Sequence, residues 1–375
     1  MVKEYIFLYS TYAIIIYLFA IITYEYKIML KYPLVILFVF ILVGAAIASC
    51  RPTSTQDTEL YNLVYESSLT YLINNKSSLY TLFANRSFYN IEIFYVILMA
   101  IFRRFFQSPF FFYFVQGIIS NIAMMFGLFK LCEYVFELDS HEKRKYFIHG
   151  RLLQLYSFYV MFCGILYTSS AIRDGLSVAI GLVAVGNLLL NRKRVISIVL
   201  LIGSILIHTT SMIFVPILFL LKVWKVKFSK VWTLLLCVLV PILYVAGTGK
   251  YFVSIVTNVV ATILQTLNIQ AFYSYIRDLD FQIPLREGYL LLLTCAVISL
   301  SIIKNKKTDK YLFIVFLGLY MFVFAYPIAA LARLLYVFIL FLLPIVMEKT
   351  KYSNLVHFIS ILYFVPQFVY VFGYL

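Results

Sequence analysis

The sequence predicts an all-α, polytopic membrane protein: a bundle of about 11–13 membrane helices, some of them short or re-entrant. Three observations predict it. Hydrophobic residues make up 63% of the 375 and charged residues only 13%, whereas a soluble domain of this length carries about a quarter charged residues. Apolar runs long enough to span a bilayer, or nearly so, recur along the whole chain. Lys and Arg gather in the short connections between those runs, as the positive-inside rule expects of cytoplasmic loops. The same clustering accounts for the net charge of +15 without any nucleic acid, and it makes the anionic headgroups of the lipid bilayer the partner of these side chains.

Taken in order, the chain is apolar almost from Tyr5 and has neither a basic leader nor a small-residue cleavage site, so the first segment is expected to be a retained helix. Candidate spans follow at 5–23, 32–50, 109–132, 152–171, 174–190, 231–247, 288–303, 311–327, 333–347 and 355–372. The apolar run from Val195 to Leu221 has Arg192, Lys193 and Arg194 before it and Lys222, Lys225, Lys227 and Lys230 after it. A single span would leave one basic cluster on the wrong side, so the run reads as a hairpin of two short helices with its apex at His208–Ser211. Arms of about 13 residues rise only about 20 Å, which lowers the polar apex into the outer half of the membrane, where it must line a cavity.

Charge counting then assigns sides. Lys143–Lys145, Arg192–Arg194, Lys304–Lys307 and Lys349 with Lys351 are expected inside. Arg173, His208 and Arg333 share the opposite face. The segment 51–107 leaves two readings open. Either Phe94–Phe106 is a short re-entrant or interfacial helix, or the first two spans are inverted and 51–90 is cytoplasmic. On the first reading, 51–90 and 248–286 are outer-face loops of a single integral membrane domain, and Thr58–Tyr65 has helical spacing. The five cysteines, at 50, 132, 163, 237 and 295, lack CxxC spacing, so no disulfide framework or zinc site is expected. There is no Gly-rich phosphate loop, heptad repeat or internal repeat, and neither metal nor cofactor is expected.

The residues that can carry chemistry are few. Arg173 and Asp174 stand between two apolar runs, and ionisable groups at a membrane edge are costly enough to need a reason. Arg173, Arg277, Arg286 and Arg333 are candidate anion receptors, because a guanidinium stays charged in low dielectric and grips two phosphate oxygens in a fixed fork. Asp57, in Arg51-Pro-Thr-Ser-Thr-Gln-Asp-Thr, and Glu92, at the start of an apolar segment, are candidate acids that could take the proton of a sugar hydroxyl. Each could also serve only to start a helix. His208 is a candidate proton carrier.

In order along the chain, Arg51-x5-Asp57-Thr58-x2-Tyr61, Ile172-Arg173 opening a helix that ends in Asn191-Arg-Lys-Arg194, Ile207-His208-x2-Ser211 leading to Pro216, and Arg333-x2-Tyr336 resemble the EpsG-like, Wzy-type polysaccharide polymerases. The arrangement also looks like the membrane glycosyltransferases of the GT-C class. The resemblance implies an enzyme of the bacterial inner membrane that joins oligosaccharide repeat units carried on undecaprenyl pyrophosphate, with a chain-length regulator as a further partner. It implies Arg173 and Arg333 at the leaving pyrophosphate with His208 beside them, Asp57 as the first candidate acid, and Arg51, Tyr61 and Tyr336 as substrate contacts; Glu92 as the second acid and Arg277 and Arg286 as further anion receptors rest on their own chemistry. The rival activities are a ligase or another transferase using the same lipid carrier and, from a different class, a flippase. The family more often has Gln where Asp174 stands, so Asp174 is expected only to face the helix dipole.

Overall fold

The computed structural model describes residues 2–52, 58–74, 92–223, 227–266, 285–301, 306–347 and 353–364. Among them the regular structure is helical, with no strand. Four described helices are long and apolar enough to cross a membrane: Lys3–Glu25, Pro109–Val135, Ile172–Leu189 and Thr308–Ala325. A fifth span results if the pair Lys230–Val245 and Thr248–Asn258, bent by 68°, is taken as one. Two other expected spans are shorter apolar helices, Pro33–Ser49 and Gly288–Leu300, as is Arg194–Ile207 in the run expected to hold two short helices. The protein is an all-α, multi-pass membrane protein. The chain divides into two compact units, one of residues 1–222 with 367–375 and one of residues 223–366.

The first unit contains α1 (Val2–Glu25), α2 (Pro33–Ser49), α3 (Thr58–Asn74), α4 (Ile93–Phe105), α5 (Pro109–Val135), α6 (His141–Tyr159), α7 (Ile172–Leu189), α8 (Arg194–Ile207) and α9 (Phe214–Val223). Local chemistry sets several boundaries. Pro33 and Pro109 occupy the first turn of their helices, where a missing N–H costs nothing. The hydroxyl of Ser108 accepts from the Phe110 amide at 3.3 Å and that of Ser140 from the Lys143 amide at 3.2 Å, each satisfying an otherwise orphaned donor. Side chains such as Phe7, Leu8, Ile14 and Leu18 on α1 are exposed, as a lipid-facing surface requires.

α7 is the axis of this unit. It is 89% buried over its length, and its neighbours approach closely because small residues let them. A Cβ on Gly127 of α5 would lie 3.0 Å from Cβ of Leu182 on α7. Upstream, α6 does not stop at Tyr159 but continues through two π-helical turns, Val160–Gly164 and Leu166–Ser170. Ala171 alone separates them from α7, and its amide donates to Leu166 O at 2.7 Å. Wide turns of this kind often mark functional positions.

The described parts of 51–107, ambiguous in sequence, are the helices α3 and α4. α4 has 13 residues, about 20 Å of rise, too short to cross a bilayer. Arg51, just past the end of α2, stacks 3.9 Å over the ring of Tyr113 near the start of α5. Arg51 and Tyr113 therefore meet at one end of the unit, and α3 and α4 pack on each other. The tyrosines and phenylalanines Tyr61, Tyr65, Tyr95, Phe112 and Tyr113 join Ile172 and Ile207 in one buried cluster beneath that end.

The second unit contains α10 (Lys230–Val245), α11 (Thr248–Thr266), α12 (Leu285–Leu300), α13 (Lys306–Ala325), α14 (Ala329–Leu340), the single turn α15 (Leu343–Val346) and α16 (Ser353–Leu362). The sharp bend between α10 and α11 falls at Gly247, whose φ of 69° only glycine adopts at little cost. The segment 248–286, expected to be a loop, thus begins as a helix. Tyr363 after α16 donates to Thr294 of α12 at 2.8 Å, and α13 packs on α14.

Candidate functional site

Several polar side chains of the first unit meet at the N-terminal end of α7. Gly175 makes this possible: a Cβ there would lie 2.3 Å from the carbonyl oxygen of Tyr167 in the second π-helical turn, so only glycine lets the incoming chain pass this close to the first turn of α7. Gln116 of α5 fixes the same turn. Its amide donates to Ile172 O at 2.9 Å, and its carbonyl oxygen accepts from the Tyr95 hydroxyl at 2.8 Å.

Ser177, one turn further along, sets the position of the hairpin. Its hydroxyl lies 2.8 Å from Ser204 O and 3.1 Å from His208 O, and it hydrogen-bonds the Ser211 hydroxyl. α8 ends where the sequence predicts. His208 caps it in an extended conformation, and a short 3-10 turn, Thr209–Ile213, leads into α9.

On this frame Glu92, Arg173, Asp174 and His208 form one cluster. Arg173 Nη1 donates to Glu92 Oε2. Glu92 Oε1 accepts from the Thr209 amide at 3.4 Å and lies 3.9 Å from His208 Nε2. On the other side of the imidazole, Nδ1 is 2.9 Å from Asp174 Oδ1, and the Thr210 amide and hydroxyl approach it at 3.1 and 2.8 Å. The imidazole thus stands between two carboxyl groups, and the guanidinium of Arg173 also lies 6.0 Å from the centre of the Tyr61 ring.

Of the residues picked out by sequence, Glu92, Arg173 and His208 come together, with Tyr61 and Arg51 at the same end of the unit. Arg51 is buried and stacks on Tyr113, whose hydroxyl donates to Asn62 at 2.8 Å. Asp57 and Arg277 lie outside the described residues. Arg286 falls in the first turn of α12. Arg333, half-buried, and Tyr336, buried, belong to α14 of the second unit. Sequence reasoning missed Asp174 as a partner of His208. Only the hairpin fold brings them together, although the costly position of Asp174 at a membrane edge was visible. Among the described residues no group of three or more His, Cys, Asp or Glu side chains could hold a metal ion.

The family model described as "EpsG family" matches residues 31–374. The chain belongs to the EpsG family. No curated protein and no solved structure matches it. As an EpsG-family chain it carries the cluster at the end of α7 opposite the basic turn Asn191–Arg194, a separation of about 27 Å along the helix.

Proposed function

We propose that the protein is a membrane glycosyltransferase of the Wzy type, a polymerase joining undecaprenyl-pyrophosphate-linked oligosaccharide repeat units at the outer face of the bacterial cytoplasmic membrane. Membership of the EpsG family supports a polysaccharide-polymerase-like membrane protein. The observation that carries the finer reading is the Arg173–Glu92–His208–Asp174 cluster, at the opposite end of α7 from the basic turn expected in the cytoplasm.

In this reading a hydroxyl of one lipid-linked unit attacks the anomeric carbon of the growing chain. The bond from that carbon to the pyrophosphate oxygen breaks, and the leaving group departs with one more negative charge. Arg173 meets that charge in a site of low dielectric, where fixed cations act most strongly. His208, oriented by Asp174, sits beside the leaving group. An acid takes the hydroxyl proton; Asp57 is the first candidate from its sequence pattern and Glu92 the second. Arg333 and Tyr336 of α14, with Arg51 and Tyr61, keep the substrate-contact roles implied by the resemblance, and Arg277 and Arg286 remain candidate anion receptors by their guanidinium chemistry, each to be tested by its own variant. A chain-length regulator is a further proposed partner.

Deletion of the gene separates this reading from its rivals. Loss of a polymerase leaves single repeat units on the cell surface, loss of a ligase leaves polymer unattached, and loss of a flippase leaves units trapped inside. The deletion strain complemented with His208→Ala at normal protein level should show single units. Full-length polymer in that strain would remove His208 from the mechanism.

A further inference from the structure

Glu92 occupies the position of an anionic ligand. It stands at the N-cap of α4 with extended backbone geometry, yet its side chain makes no capping bond to that helix. The carboxylate turns instead to donors on other elements: the guanidinium of Arg173 on α7, the amide of Thr209 at 3.4 Å, and His208 with Nε2 at 3.9 Å. A guanidinium, a backbone amide and an imidazole are also the donors that bind the oxygens of a diphosphate, and Arg does so in the same forked geometry it offers a carboxylate. Neither partner is sealed in. Arg173 is 14% and Glu92 22% exposed, so a ligand can reach the pair from outside the protein. Glu92, at the start of α4, approaches His208 on the Nε2 side, Asp174 of α7 on the Nδ1 side, and Arg173 of α7 pairs with Glu92.

We propose that Glu92 is a displaceable place-holder: its carboxylate fills the anion receptor of Arg173 in the substrate-free protein and is expelled by the diphosphate of the lipid-linked substrate. This rests on the reading of Arg173 as the diphosphate receptor. The exchange replaces one negative charge by two or more, which favours the ligand at Arg173. It also keeps a partly buried cation paired when substrate is absent, where an unpaired one would be costly. Displacement frees the carboxylate only once a diphosphate is bound, so the acid is released beside the substrate it would serve. The carboxylate competes with the ligand, and removing its charge therefore increases affinity.

The test is binding of farnesyl pyrophosphate to the full-length protein in lipid nanodiscs at fixed salt, with thermal unfolding as the check on folding. Glu92→Gln keeps the shape and removes the charge, and should bind about tenfold tighter than the natural protein. Glu92→Asp shortens the reach of the carboxylate and should fall between the two. Arg173→Ala should bind at least about tenfold more weakly, and adding Glu92→Gln to it should restore nothing. Weakened binding in Arg173→Ala together with unchanged or weaker binding in both Glu92 variants overturns the place-holder and leaves the receptor standing. Equal affinity in the natural protein and Arg173→Ala overturns the receptor itself, and the place-holder with it.

Discussion

The two ends of α7 each carry a charge cluster, built on opposite plans. At the C-terminal end Glu133 of α5, only 2% exposed, is faced by three cations: Lys130 at 3.0 Å, Arg144 at 2.7 Å and Arg192 at 2.8 Å. These tie α5, α6 and the turn after α7 to one buried carboxylate, and the excess positive charge faces outward. At the N-terminal end two carboxyl groups, Glu92 and Asp174, share one guanidinium and one imidazole. The first plan saturates a buried anion with three cations. The second holds its cation with a carboxylate that a stronger anion can replace. Charge density at a helix end therefore does not identify a site; the accessibility and exchangeability of the partners do.

The comparison breaks most directly through Arg173→Ala. If the N-terminal cluster is the reacting one, polymer formation should fall by about 10²–10³-fold, the range seen when a fixed stabiliser of developing charge is removed. Arg192→Ala at the other end should leave turnover near normal. Polymer yield and protein level, measured together, separate the two, and equal losses from both variants would erase the distinction. Glu133→Ala should act on stability instead. Removing one partner of a buried ion pair commonly costs about 3–5 kcal/mol, but Arg144 and Arg192 are a third or more exposed and remain hydrated. About 2–3 kcal/mol is therefore expected, read as a fall in melting temperature in detergent.

Gly175→Ala is the next largest change. The added methyl meets the Tyr167 carbonyl at 2.3 Å and must push the first turn of α7 aside, and a misplacement of about 1 Å costs on the order of 10²-fold in rate. Gly203, with nothing within 4 Å of its Cβ position, is the control and should tolerate Ala. Asp174→Asn keeps the shape but removes the carboxylate charge beside His208 Nδ1. A loss of about tenfold in kcat with KM unchanged is expected, and a change confined to KM would assign Asp174 to binding. Smallest is Ser177→Ala, which loosens the hairpin from α7 and should lower stability by about 1 kcal/mol with little effect on rate once the protein is folded.

The fold class was legible because the bilayer imposes length and polarity on every span. The break at His208 was legible too, since two basic clusters flanking one apolar run argue against a single unbroken span. The path of 51–107 was not. Its 13-residue helix looks the same in sequence whether it enters, skims or crosses the membrane, and only the stacking of Arg51 on Tyr113 fixed where the chain goes. The extent of α3 and the helix over Thr248–Thr266 were equally hidden, because their polar residues gave no span-length signal.

The sequence by itself determined that this is a multi-pass helical membrane protein of the EpsG type, and it picked out Arg173 as a costly charge, Glu92 as a candidate acid or helix cap and His208 as a candidate proton carrier, one at a time. Tertiary structure alone decided that these three meet, that Asp174 joins them, and that Glu92 is held by Arg173. The physical reason is range. Hydropathy and the positive-inside rule act on each segment separately and can be read along the chain, whereas an ion pair between positions 92 and 173 depends on how α4, α7 and the hairpin pack.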